Sequence, residues 1–201
     1  MAIVIAACGV DNKTCTEVAY KLAKDNDLYS RPLALAGIWG SLVRQWLEEV
    51  LPEDCAELCS SRVTISVMES ESPIPWIFPL PYRRKGFSRF ESKADLIDCL
   101  MASVHIPFFL DFRPFATYKD KLCIDGSALR FENGLNGVRQ DNGDTIKPDL
   151  SMNYGQDDAI DDEYFDFLRL RTLEGVYDLI QQGENYAART DLEILAPYKK
   201  L

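Results

Sequence analysis

The chain has 201 residues, 47% of them hydrophobic, and its 22 Lys and Arg residues against 32 Asp and Glu residues give a formal net charge of −10. This apolar content excludes an intrinsically disordered chain, and the length indicates one domain with room for an appended tail. The acidic balance argues against nucleic acid as a partner, because that binding depends on Lys and Arg neutralising phosphates.

The first predicted element is a helix over residues 2–8. These residues are small and apolar, which is typical of a helix that is buried on most sides, and Gly9 is its expected stop. No capping residue and no strand precede this helix, although a buried helix in an α/β fold normally follows a strand. We therefore expect the domain to be incomplete at its N-terminus.

The rest of the chain alternates helical and strand patterns. Asp11 or Thr14 is the expected N-cap of the next helix, and Ser92 begins a helix that Pro107 stops. The predicted elements are helices over residues 11–26, 41–51 and 92–106, strands over residues 63–68 and 121–124, and a last helix over residues 172–188.

A proline-rich and aromatic stretch precedes the basic run Arg83, Arg84 and Lys85. The prolines predict an exposed loop or an edge hairpin. Rings such as Trp76 and Phe78 next to three cations also suit a lipid surface, with the rings at the interface and the cations on head groups. The sequence leaves both interpretations open.

Cysteine and histidine are too few for a predicted metal site. Cys55 and Cys59 are four residues apart and would share a helix face, but His105 is the only histidine and further ligands are missing. No basic residue begins an export signal, so a reducing compartment is expected and no disulfide is predicted. Walker, Gly-x-Gly-x-x-Gly and His-Glu-x-x-His motifs are absent, and no cofactor is predicted.

Asp125 and His105 are the candidates for chemistry. Asp125 follows a predicted strand and precedes Gly126, a position where the edge of a sheet presents side chains to a crevice, although an ordinary Asp-Gly turn explains the same pair. His105 has no nucleophile motif around it, which favours a hydrogen-bonded packing or surface role. The sequence has no Gly-x-Ser-x-Gly elbow.

Two motifs, in the same order, resemble the patatin-like phospholipases. Residues 87–107 end in Ala-Ser-Val-His-Ile-Pro, which looks like that family's helix ending in Ala-Ser-x-x-Ile-Pro. Ile124-Asp-Gly126 looks like its Asp-Gly-Gly or Asp-Gly-Ala motif, and residues 6–24 and 172–187 are similar to further segments of the family. The resemblance implies a three-layer α/β/α patatin-like domain over residues 1–132, with a polar loop and C-terminal helical extension over residues 133–201.

The resemblance also implies a function in lipid metabolism. In the family, a serine in a Gly-x-Ser-x-Gly elbow attacks an ester carbonyl and the Asp of the Asp-Gly motif is its base, a role that falls on Asp125 here. Gly126 is the motif's glycine, and Ser127 replaces the family's Gly or Ala. The chain thus resembles part of a phospholipase or triacylglycerol lipase that retains the Asp of the dyad. Because it lacks the serine and the oxyanion loop, we expect no hydrolysis by this chain alone.

Two alternatives remain. The fold can serve as a non-catalytic module that binds lipid or protein, or the Asp-Gly turn can match by chance, in which case the helix ending at Pro107 would lie apart from Asp125. The resemblance implies a lipid ester or membrane surface as partner, no metal, and a cytoplasmic protein peripheral to membranes or lipid droplets. A parallel sheet lacking its first strands would expose an apolar edge and lower solubility.

Overall fold

The computed structural model describes residues 1–31, 35–71, 82–126 and 172–189. Contacts divide the chain into two units, Met1–Val138 and Arg139–Leu201, and the second contains helix α6 (Leu173–Arg189). The first unit contains helices α1 (Ala2–Ala7), α2 (Asn12–Asp25), α3 (Trp39–Val50), α4 (Cys55–Cys59) and α5 (Lys93–Ser103), and strands β1 (Ile65–Ser70), β2 (Tyr82–Phe87), β3 (Ala116–Tyr118) and β4 (Lys121–Asp125).

The four described strands form one sheet in the order β2-β1-β4-β3. Every described pairing is antiparallel, so the expectation of a parallel sheet is wrong for these strands. Strands β3 and β4 are joined by Lys119 and Asp120, whose φ angles of 46° and 61° give the two-residue turn that suits the twist of a hairpin. The α/β class is confirmed, whereas the three-layer patatin-like arrangement stays a prediction.

The predicted helix starts are largely confirmed by their caps. Asp11 caps α2 by accepting the backbone N–H of Thr14 at 2.8 Å, which decides between the two predicted N-caps. Ser92 caps α5 by accepting the backbone N–H of Asp95 at 3.1 Å, and the helix ends at Ser103. Local hydrogen bonding therefore starts both helices where the sequence indicates.

Helix α1 departs from its expectation. Val4 and Ile5 are buried, but Ile3 is 70% exposed, so the prediction of a helix buried on most sides is wrong. The helix packs one face against α4. Gly9, at φ 68°, follows it in the left-handed region and stops it as predicted.

The core lies between the helices and one face of the sheet. Helix α5 packs on β1, β3 and β4, and α3 packs on α5. Leu47 of α3, Leu96 of α5 and Val67 of β1 have no exposed surface. This packing brings the C-terminal end of α5 to the end of β4. No described helix is long and apolar enough to cross a membrane.

Candidate active site

Asp125 is the last residue of β4 and is half-buried at the end of the strand. Its backbone N–H donates to the carbonyl oxygen of His105 at 2.9 Å, and the N–H of Gly126 donates to the carbonyl oxygen of Ser103 at 3.2 Å. The end of α5 and the Asp-Gly turn are therefore hydrogen-bonded to each other. The chance-match alternative predicted that these two segments lie apart, and that expectation is wrong.

Gly126 allows β4 to leave the sheet close to β1. A Cβ atom at this position would lie 2.3 Å from the carbonyl oxygen of Ser66, a distance that no side chain tolerates. The same carbonyl oxygen accepts the Ser103 hydroxyl at 2.7 Å. Strand β1, the residue after β4 and the last residue of α5 thus meet at the backbone of Ser66. Because the two strands approach so closely here, the second residue of the Asp-Gly pair must be glycine.

The serines beside Asp125 are engaged or face elsewhere. Val67 lies directly opposite Asp125 in the sheet, so these two side chains share a face and that of Ser66 points to the other face. The Ser66 hydroxyl oxygen is buried and has no hydrogen-bond partner among the described residues, while the Ser103 hydroxyl donates to a main-chain carbonyl oxygen. Neither hydroxyl is hydrogen-bonded to the Asp125 carboxylate as an activated nucleophile would be.

His105 is a buried histidine with a defined hydrogen bond. It is 2% exposed, and its Nε2 lies 3.1 Å from the carbonyl oxygen of Arg113. Burial lowers the pKa of the imidazole, against smaller opposing effects that include the carboxylates of Asp111 and Asp125. A neutral ring that donates Nε2–H to the carbonyl fits this environment. The sequence predicted a hydrogen-bonded packing or surface role for His105, and the structure shows that it is a packing role. The main-chain carbonyl oxygen of His105 also accepts the backbone N–H of Asp125.

The aromatic loop, residues 106–113, follows α5 directly and was missed as a feature by sequence reasoning. Phe108 and Phe112 are 63% and 60% exposed, and both have left-handed backbones with φ of 64° and 60°. Bulky residues rarely adopt this conformation. Two main-chain hydrogen bonds hold the loop. The N–H of Gly37 donates to the carbonyl oxygen of Phe109, and the N–H of Gly40 donates to the carbonyl oxygen of Leu110. The available signal was the cluster of three phenylalanines behind Pro107.

An apolar cavity of about 240 Å³ lies between α2 and α3. Its volume is just below the ~300–1,000 Å³ that is typical of ligand pockets. Its apolar lining suits an alkyl group and offers few hydrogen-bond partners to a polar ligand. None of its lining residues belongs to the Asp125 region. The lining residues are Met1, Ala19, Leu22, Ala23, Leu28, Trp39, Leu42, Val43 and Trp46.

The predicted basic surface is described in part. Strand β2 lies at one edge of the described sheet, as the hairpin interpretation predicts, and Arg83, Arg84 and Lys85 are exposed on it. Lys85 Nζ lies 3.3 Å from a carboxylate oxygen of Glu69 and 4.9 Å from the centre of the Phe87 ring. Trp76 and Phe78, and likewise Ser127 and the predicted boundary at residue 132, lie outside the described residues.

The described residues contain no cluster of three or more His, Cys, Asp or Glu side chains that could hold a metal ion. Cys55 and Cys59 begin and end α4, as their spacing predicts, and both are buried free thiols. Within residues 1–31, 35–71, 82–126 and 172–189, no acidic or imidazole group joins these two thiols in a metal site.

Comparison with known proteins finds similarity to the omega-hydroxyceramide transacylase of Mus musculus. The two are 28% identical over 126 residues, which cover 61% of this chain. The similarity is to a patatin-like protein of lipid metabolism. The matched part spans 19% of the transacylase's own length. No family model matches the chain, and no solved structure matches it.

Proposed function

We propose that Asp125 is the acid–base carboxylate of a patatin-like domain that transfers the acyl group of a lipid ester. In this chemistry the carboxylate takes the proton of a serine hydroxyl and the serine oxygen attacks the ester carbonyl. The protonated carboxyl then gives this proton to the departing oxygen, which leaves as the alcohol. The acyl group then passes to water in a hydrolase, or to a lipid hydroxyl in a transacylase. No cofactor or metal is needed for these steps.

One observation carries the proposal. The two motif segments lie in hydrogen-bond contact, although the bonded residues are 20 or more positions apart in sequence: the Asp125 N–H donates to the carbonyl oxygen of His105, and the Gly126 N–H donates to that of Ser103. A general base gains from such fixing, because proton transfer depends on a carboxylate held in one position. The similarity to a patatin-like transacylase supports the same assignment.

We propose that the serine is supplied by a segment outside these 201 residues, since the sequence has no Gly-x-Ser-x-Gly. We therefore expect the purified chain to leave a short-chain ester reporter intact, and Asp125→Asn to behave identically. Hydrolysis that is lost in Asp125→Asn would reveal a nucleophile within the chain and would overturn this part of the proposal.

The transcript provides the discriminating test for the missing nucleophile. We expect in-frame coding sequence upstream of Met1 for a strand followed by Gly-x-Ser-x-Gly. A transcript whose 5′ end encodes no such motif would contradict the hydrolase assignment and favour a binding module.

A lipid-binding module is the second candidate, and the exposed cations of β2 favour it. Arg83, Arg84 and Lys85 form a basic run on an edge strand of a chain whose net charge is −10. Each cation near an anionic membrane contributes about 1 kcal/mol to the free energy of binding. The exposed rings of Phe108 and Phe112 add apolar surface that a membrane can contact. Binding of the purified chain to phosphatidylserine vesicles, with no binding to phosphatidylcholine vesicles, is the expected result for this candidate.

A further inference from the structure

Two cysteines that are 51 positions apart in sequence lie in contact. The Sγ atoms of Cys8 and Cys59 are 3.6 Å apart. Cys8 is the C-cap of α1, and Cys59 is the last residue of α4. The contact therefore joins the short helix α1 to a neighbouring helix, and both thiols are free.

The two thiols differ in access. Cys8 is half-buried, whereas Cys59 has no exposed surface. Cys15, Cys55, Cys99 and Cys123 are also buried, at 8% exposure or less. A reagent in solution therefore meets Cys8 first among the described cysteines, and a sulfur bound to Cys8 lies next to the Cys59 thiol.

We propose that Cys8 and Cys59 form a reversible disulfide when a small disulfide such as oxidised glutathione is the oxidant. The Cys8 thiolate attacks one glutathione sulfur, which forms a mixed disulfide and releases one glutathione thiol. The Cys59 thiolate then attacks the Cys8 sulfur and releases the second. The protein loses two electrons and two thiol protons, and oxidised glutathione becomes two molecules of the reduced tripeptide.

The environment sets the speed of this reaction. Burial and the hydrogen bond with Cys59 raise the pKa of Cys8 to about 12, and burial also raises the pKa of Cys59. Only thiolate attacks a disulfide, so the reaction is slow at neutral pH. Its rate is expected to rise by about tenfold per pH unit over the range in which the thiolate fraction controls it.

The test exposes the folded chain to oxidised glutathione at pH 8.5, followed by intact mass measurement and peptide mapping. We expect loss of two thiols without retained glutathione, and a peptide that links Cys8 to Cys59. The variants separate the two steps. Cys59→Ser is expected to stop with one glutathione on Cys8, Cys8→Ser to take up none, and the control Cys123→Ser to form the Cys8–Cys59 link.

Three results would overturn the proposal: wild-type chain that keeps glutathione on Cys8, a link between other cysteines, or wild-type chain that retains all six thiols. The wild-type peptide map decides the matter even if a variant fails to fold. The proposal is independent of the role of Asp125, since no step uses that residue.

Discussion

The backbone N–H of Asp125 donates to the carbonyl oxygen of His105 at 2.9 Å. This bond fastens the end of β4 to the residues that follow α5, and the bond from Gly126 to Ser103 repeats the connection one residue further. Two hydrogen bonds therefore fix the main chain to which the Asp125 carboxylate is attached. Such fixing is what a group that handles a proton requires.

Gly126→Ala is expected to destabilise the first unit. The new Cβ would lie 2.3 Å from the carbonyl oxygen of Ser66, so β1 and β4 must separate locally at a cost of about 1–3 kcal/mol. Urea unfolding followed by circular dichroism measures the change. Gly183→Ala in α6 is the control, because a Cβ there meets nothing within 4 Å and alanine favours a helix. Equal unfolding midpoints for both variants would contradict the described contact.

Removal of the two hydroxyls near the turn is expected to have opposite effects. Ser103→Ala loses the 2.7 Å bond to the carbonyl oxygen of Ser66 and should lower the free energy of unfolding by about 0.5–1.5 kcal/mol. Ser66→Ala removes a buried hydroxyl for which the described part of the chain provides no hydrogen-bond partner, so the free energy of unfolding should stay equal or rise. The two variants are compared by urea unfolding, and a larger loss in Ser66→Ala would show that its hydroxyl has a partner.

Stability is expected to fall as the pH drops below about 6.5, in part through His105. Burial lowers the pKa of this imidazole in the folded chain, so the unfolded chain binds the proton first and acid favours unfolding. The contribution is fully present above the unfolded pKa and is lost as pH falls toward the folded pKa. His105→Gln keeps a donor for the Arg113 carbonyl but does not titrate, so its free energy of unfolding should change less between pH 7.5 and pH 5.5, roughly the interval spanned by an ordinary histidine pKa. An identical change in both proteins would contradict the burial argument.

Reversal of charge on β2 is expected to weaken binding to anionic vesicles. The double variant Arg83→Glu, Arg84→Glu removes two exposed cations, each worth about 1 kcal/mol near an anionic surface, and leaves the Lys85–Glu69 ion pair in place. Vesicle co-sedimentation at low and high salt measures the effect. The matched control, Lys21→Glu with Lys24→Glu on the exposed face of α2, has the same change in net charge. Equal loss of binding in both doubles would mean that net charge, and not the basic run, controls attachment.

Local signals in the sequence predicted the starts of α2 and α5. Asp11 and Ser92 accept backbone N–H groups within one turn, which is a short-range interaction that the residue order itself reveals. The end of β4 was also predicted to within one residue, because an apolar run followed by Asp-Gly marks a strand end.

Long-range features could not be predicted from those signals. The turn between β3 and β4 uses Lys119 and Asp120 with positive φ and has no glycine. The Asn-Gly or Asp-Gly pair that usually indicates a hairpin is therefore absent, and the antiparallel pairing could not be predicted. The bond between Asp125 and His105 and the contact between Cys8 and Cys59 depend on how helices pack against the sheet. Only the resemblance to a known family indicated that the helix ending at Pro107 and the Asp125 turn would lie beside each other.

The most direct test of the central claim is ester hydrolysis by the chain extended through the Gly-x-Ser-x-Gly segment that we propose lies upstream of Met1. We predict that Asp125→Asn lowers kcat on a short-chain ester by about 10²-fold or more, because the serine loses its base. Asp120→Asn is the matched control, since it lies in the turn before β4 and Asn tolerates a left-handed backbone. Full activity in Asp125→Asn would contradict the assignment of Asp125 as the acid–base carboxylate.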